Sequence, residues 1–173
     1  LYLNPIFNEV NFHSGKTILL AVFLFPIQIY GDLGGYSLIA IGTASVMGIN
    51  VRINFNKPFF SKSMSEFWRR WHMSLISWIT DYLYTPISFY LRKFKLWGII
   101  FSLLITFLVA GIWHEASLSF IIWGLIQGSI LSFEAISKRK KIQFEKKFNL
   151  KNNKLYILFC VITIYILFSF SLI

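Results

Sequence analysis

Between Leu96 and Trp113 the chain runs 18 residues without a charge and then stops on an ionisable pair, His114 and Glu115. As a helix that run is about 27 Å long, nearly the thickness of a bilayer's hydrocarbon core. A second apolar stretch, Ala116 to Phe133, follows at once, so the two runs form a hairpin with His114 at its joint. Leu155–Ile173 is a further span of the same character. Upstream, Thr17–Tyr30 and Leu33–Ile49 are apolar pieces separated by Gly31 and Asp32. Together they are too long for one untilted span and short for two, and Gly34-Gly35 is the expected break between them. The fold class that follows is all-α: a polytopic transmembrane helical bundle, with amphipathic or re-entrant helices where the pattern is mixed.

The amphipathic part lies between the two apolar regions. Arg52 to Arg70 is polar, carries five basic residues and contains Pro58. Ser65 or Ser63 is placed to cap the following helix, and Glu66 suits the dipole of its first turn. From Glu66 to Tyr84 the aromatic residues Phe67, Trp68, Trp71, Trp78 and Tyr82 describe a helix that lies in the interface or dips into the protein, ended by Pro86.

Hydrophobic residues make up 56% of the 173 residues, and mean hydropathy is +0.63, well above a soluble domain. The net charge of +10 is a second constraint. Nucleic acid is one explanation of such an excess, but these basic residues sit between apolar spans, where charge reads as topology. Arg92, Lys93 and Lys95 precede one arm of the hairpin, and Lys138–Lys154 carries eight basic residues after the other. The positive-inside rule makes that shared face cytoplasmic and puts His114 toward the opposite surface. The partners expected there are the lipid bilayer, through anionic headgroups, or an acidic carrier protein; no nucleic acid is expected. The single cysteine, Cys160, lies within an apolar run, so neither a disulfide framework nor zinc spacing is expected. With Leu1 at its start, no signal-peptide pattern and an apolar end, the chain reads as a fragment of a longer polytopic protein.

Two histidines are the candidates for chemistry. An ionisable residue at the joint of membrane helices is expensive, which makes His114 a functional candidate; the plainer reading is a helix-end histidine wetted by headgroups. His72 stands in Phe67-Trp68-Arg69-Arg70-Trp71-His72-Met73-Ser74, where flanking tryptophans imply a packed environment in which a polar ring needs a partner. Its plainer reading is an interfacial histidine beside snorkelling arginines. Asp81 lies nine residues on, about two and a half turns along a continuous helix, close enough along the chain to pair with Arg or Tyr neighbours. His13 is assigned no role. Without a metal motif or nucleophile elbow, two histidines suit general acid–base work, in which a neutral imidazole takes a proton from an attacking alcohol. They equally suit a proton relay through His72, Asp81 and His114 in a proton-coupled transporter.

Phe67 to Leu75, followed by Trp78, Asp81-Tyr82-Leu83-Tyr84 and Pro86, resembles the central signature of the membrane-bound O-acyltransferase (MBOAT) family, in its bacterial alginate O-acetyltransferase and teichoic-acid D-alanyltransferase branch. Gly111-Ile112-Trp113-His114, with Ala116, Ser117, Phe120, Trp123-Gly124-Leu125 and Gly128, resembles the second signature, which holds the family's invariant histidine. Gln28-Ile29-Tyr30, Asp32, Gly35-Tyr36-Ser37 and Ala40-Ile41-Gly42 match a third block, and Asn54 to Phe59 a fourth.

The resemblance implies a ring of transmembrane helices around a tunnel, in a multi-pass protein of the bacterial inner (cytoplasmic) membrane. It makes His114 the invariant histidine where the substrates meet and His72 the second one needed. Arg69, Arg70, Trp113, Asp81 and Asp32 become substrate-binding residues. It implies no bound cofactor and no metal. The acyl donor is a thioester, acyl-CoA or an acyl-carrier protein, at the cytoplasmic face; the acceptor is an exported or cell-surface polysaccharide, reached through an exported partner protein in some systems. The family's proteins are more than twice this length, so residues 1–173 read as the C-terminal half of a single membrane domain. The chain departs from the pattern at Glu115, where the family has Gly; at Asp32-Leu33-Gly34-Gly35, which lacks a hydroxyl; and at Ile87–Arg92, which replaces a Gly-Gly turn. The carboxylate beside the base leaves open a catalytically lapsed member that acts as a scaffold.

Overall fold

Apolar runs with no competing hydrogen-bond partners close into helices, and in the computed structural model 81% of the chain is helical, with no strand among the described residues, 3–172. The helices are α1 (Asn4–Asn8), α2 (Gly15–Val46), α3 (Met64–Arg70), α4 (Met73–Ile79), α5 (Thr85–Tyr90), α6 (Leu96–His114), α7 (Leu118–Lys147) and α8 (Lys154–Ser171). Four of them, α2, α6, α7 and α8, are long and apolar enough to cross a membrane. The chain divides into two compact units, one of residues up to 53 together with those from 165 on, the other Asn54–Ile164.

In the first unit, α2 is a single helix of 32 residues, not two pieces. Ser14 caps it, its Oγ accepting from the Thr17 N–H at 3.3 Å. The expected break at Gly34-Gly35 is absent because a broken helix in hydrocarbon would leave backbone groups unpaired, a larger cost than two glycines in a helix. Thr43 and Ser45 donate their hydroxyls to carbonyls four residues back, hiding the polar groups within the helix. The phenol of Tyr165 donates to the Phe23 carbonyl, and Phe170 meets Phe23 edge-on at 5.7 Å.

The second unit is built on the α6–α7 hairpin. A Cβ on Gly111 would come within 2.3 Å of the Phe120 carbonyl, and one on Gly124 within 2.3 Å of the Phe107 carbonyl. At Gly128 it would meet the Leu104 Cα at 3.0 Å. Glycines at this seam bring the two backbones into direct contact, the small-residue packing that joins helices in lipid. α6 has the expected bounds. α7 instead runs on to Lys147, so most of the segment expected as a basic loop, Lys138–Lys154, is helix. Lys, Gln, Glu and Arg are strong helix formers, and outside the apolar layer nothing in this stretch breaks the ladder. α8 begins where the last span was expected, Asn153 Oδ1 accepting from the Leu155 and Tyr156 N–H groups; Ile173 lies outside the described residues.

The stretch expected as one helix from Glu66 to Tyr84 is three pieces. α3 stops at Arg70, α4 restarts at Met73, and Thr80–Tyr84 widens into a π-helical turn before α5. Pro86 does not end this segment; it sits in the first turn of α5, where its missing N–H is harmless. Of the two candidate serines, Ser63 caps α3, accepting from the Glu66 N–H at 3.1 Å.

Candidate active site

His114 is the last residue of α6 because Glu115 turns extended, with φ −165° and ψ 136°. The glycine seam sets what surrounds the imidazole, since it brings the first turns of α7 against the end of α6. Phe120 stacks on the imidazole at 5.8 Å and 17°, and Trp123 presents an edge at 5.4 Å. Trp113 closes a third side at 5.1 Å while remaining 65% exposed itself. Glu115 is exposed and makes no ion pair with His114; the extended backbone carries it off the helix.

His72 is placed by a break. Trp71 is extended and His72 left-handed, with φ 43° and ψ 55°. That conformation costs a non-glycine residue about 1 kcal/mol, so something must hold it. The strand-like segment 54–56 does. The Asn54 carbonyl accepts from the Met73 N–H at 2.8 Å, and Asn54 Oδ1 from the Ser74 N–H at 3.1 Å. The Asn56 N–H donates to the Arg70 carbonyl at 3.0 Å. Asn54 therefore caps α4 and relieves the His72 side chain of that duty. The imidazole lies 6.1 Å from the Phe55 ring, and its buried Nδ1 has no hydrogen-bond partner among the described residues. His72 lies in the same compact unit as His114.

Aromatic rings bridge the space between the two histidines. Trp123 meets Trp68 at 6.0 Å, Trp68 meets Phe67 at 5.5 Å, Phe67 stacks on Trp71 at 5.5 Å, and Trp71 meets Phe55 at 5.2 Å. Met64, Phe67, Trp68 and Trp71 are buried, so α3 is docked firmly on the hairpin. Glu134, which sequence reasoning passed over, ties this docking down. Its carboxylate reaches from α7 to accept the Met64 N–H at 2.8 Å, the Ser65 N–H at 3.2 Å and the Ser65 hydroxyl. A carboxylate at a helix N-terminus satisfies orphan donors and suits the dipole. The available signal was a lone acidic residue at the end of an apolar run. Trp123 Nε1, Thr106 Oγ1 and Ser132 Oγ are also buried in this unit with no hydrogen-bond partner among the described residues.

The remaining predicted site residues separate. Arg70 is ion-paired to Glu66 at 2.7 Å, whereas Arg69 is exposed and open. Asp81 does not share a helix face with His72: nine residues are about two and a half turns, half a turn out of phase even on a continuous helix, and the chain also breaks at His72. It is exposed and accepts from the Ser77 hydroxyl at 3.4 Å. Asp32 stands exposed on α2, in the other unit. Among the described residues no three His, Cys, Asp or Glu side chains are grouped to share a metal ion.

The arrangement is an imidazole at the end of an apolar span beside a wall of rings, and the chain's relatives carry names of acyl-transfer enzymes. It is 42% identical over 115 residues to the probable alginate O-acetylase AlgI of Azotobacter vinelandii, covering 66% of this chain and 23% of that protein. It is 39% identical over 108 residues to the peptidoglycan O-acetyltransferase of Helicobacter pylori, covering 62% and 20%. With the teichoic acid D-alanyltransferase of Bacillus subtilis it shares 36% over 135 residues, covering 71% and 33%. The match thus spans a third or less of each relative, in a C-terminal part of them. The family model for MBOAT, the membrane-bound O-acyltransferase family, matches residues 6–172, and the chain belongs to that family.

Proposed function

We propose that the protein containing this chain moves an acyl group from a thioester donor to a hydroxyl of a cell-envelope polysaccharide, with His114 as general base. The observation that carries this reading is the seating of His114: an imidazole ending an apolar span, flanked by Trp113, Phe120 and Trp123, in the same compact unit as His72. The acceptor hydroxyl gives its proton to His114 as its oxygen bonds to the acyl carbon. The tetrahedral intermediate then collapses, the carbon–sulfur bond breaks, and the imidazolium returns the proton to the leaving thiolate. Acceptor names among the relatives (alginate, peptidoglycan, teichoic acid) support an exported polymer. The donor is acyl-CoA or an acyl-carrier protein at the cytoplasmic side of the inner membrane, and Arg69 is the arginine free to meet its phosphate. Arg70, held by Glu66, shapes α3 instead.

The transporter relay loses its middle member, since Asp81 is bonded to Ser77. The test is His114→Ala in the full-length protein, with the acyl content of the cell-envelope glycan read by NMR. Removal of a general base costs about 10² to 10⁴ in rate, so acylation should fall to the level of a deletion strain at normal protein abundance. Wild-type acylation in that variant would show that His114 is not the base and favour a scaffold.

A further inference from the structure

The end of the hairpin opposite His114 holds a cavity of about 640 Å³ between α5, α6 and α7. Four cations line it: Arg92 and Lys95 from the turn before α6, Lys138 and Arg139 from α7. None of the four has an ion-pair partner among the described residues. The carboxylate just upstream on α7, Glu134, is turned away to the N-terminus of α3. The Arg92 guanidinium carbon sits over the Phe89 ring, 3.9 Å from its centroid, a cation–π contact that holds the charge at the cavity. The other part of the lining is apolar. Leu96, Ile99 and Ile136 are 43%, 39% and 50% exposed beside these charges, on helices apolar enough to cross the membrane. Tyr84 adds a phenol to the lining.

Unpaired cations beside exposed apolar side chains at the rim of a bilayer match an amphiphile with a phosphate at one end and acyl chains at the other. We propose that this cavity is a binding site for the headgroup of an anionic phospholipid, with its chains lying along the exposed side of α6 and α7. The phosphodiester is met by Arg92, Lys95, Lys138 and Arg139, and the first methylenes of the chains by Leu96, Ile99 and Ile136. A soluble phosphate would use the same cations but leave the apolar part of the lining idle, which is why the lipid is favoured over the phosphate of the acyl donor. The site stands one helix length from His114 and does not depend on the acyl-transfer reading.

The test uses the full-length protein in nanodiscs of equal parts phosphatidylglycerol and phosphatidylcholine, with lipid retained after mild detergent release counted by native mass spectrometry. Wild type should keep phosphatidylglycerol over phosphatidylcholine by tenfold or more. Each basic residue near a membrane surface is worth about fivefold in binding an anionic lipid, so Lys95→Gln/Arg139→Gln should lose about 25-fold. Should the double variant fail to fold, Arg139→Gln alone, at an exposed position, should lose about fivefold. Lys146→Gln/Lys147→Gln removes equal charge from the same helix outside the cavity and should retain the lipid. No preference in the wild type, or equal loss in the two double variants, would overturn the site in favour of diffuse surface charge. Displacement of phosphatidylglycerol by millimolar inorganic phosphate or coenzyme A would overturn it in favour of a soluble phosphate.

Discussion

Gly124→Ala puts a methyl carbon where the Phe107 carbonyl oxygen is only 2.3 Å away and the Leu108 Cα 3.3 Å away. Both obstacles are backbone atoms of a helix, so no rotamer change relieves them. Ordinary contact begins at about 3.4 Å, so α6 and α7 must separate by about 1 Å at this level. Overpacking of this kind costs about 1–3 kcal/mol, against which the better helix propensity of alanine returns up to about 1 kcal/mol. The net expectation is a loss of about 1–2 kcal/mol, seen as a lower thermal midpoint of the full-length protein in detergent. Activity should suffer more than stability. Trp123 adjoins the substituted position and touches both His114 and Trp68, and a 1 Å misplacement at a reacting centre costs about 10² in rate. Gly42→Ala is the matched control, because nothing lies within 4 Å of a Cβ there. If Gly124→Ala melts and transfers acyl groups like Gly42→Ala, the tight seam is not what positions His114.

Three further outcomes follow from the same geometry. Glu134→Ala should lower the thermal midpoint by about 1–3 kcal/mol in stability, since three donors of α3 lose their acceptor, and Glu134→Gln, which keeps one carbonyl oxygen, should fall between. Asn54→Ala should cost about 1 kcal/mol as a lost helix cap and reduce acyl transfer further by releasing His72, whereas Asn54→Asp restores the cap; equal rates for all three proteins would remove Asn54 from the positioning of His72. A cysteine at Ser137 or Asn152 should be shielded from an impermeant thiol reagent in intact cells, because the basic end of the hairpin is expected in the cytoplasm; labelling there inverts the topology.

What could be read from the residues divides along the range of the interactions that decide each feature. The bounds of α6 follow from local content alone, since a charge-free run has no alternative to helix in lipid. The Ser63 cap and the start of α8 are local too. The break at His72 is not local: it depends on Asn54 and Asn56, at least 14 residues upstream, competing for the backbone groups of Arg70, Met73 and Ser74. The continuity of α2 through Gly34-Gly35 was hidden because propensities measured in water overrate glycine as a breaker where unpaired backbone has no solvent. At the site, the family motifs marked His114 and His72, but nothing in a linear pattern marks the bond from Glu134 to α3, 69 residues away.

The two arms of the hairpin differ in length, 19 residues in α6 and 30 in α7, about 28 Å against 45 Å. Only the shorter arm is matched to hydrocarbon about 30 Å thick, and it has no slack, with Lys95 at one end and His114 at the other. α7 carries its surplus beyond the apolar layer as the basic stretch that ends at Lys147, so of the two arms it is α6 that sets the depth of the hairpin. A thicker membrane would therefore draw either the basic turn or the imidazole into hydrocarbon, and α6 acts as the gauge by which bilayer thickness reaches the histidine.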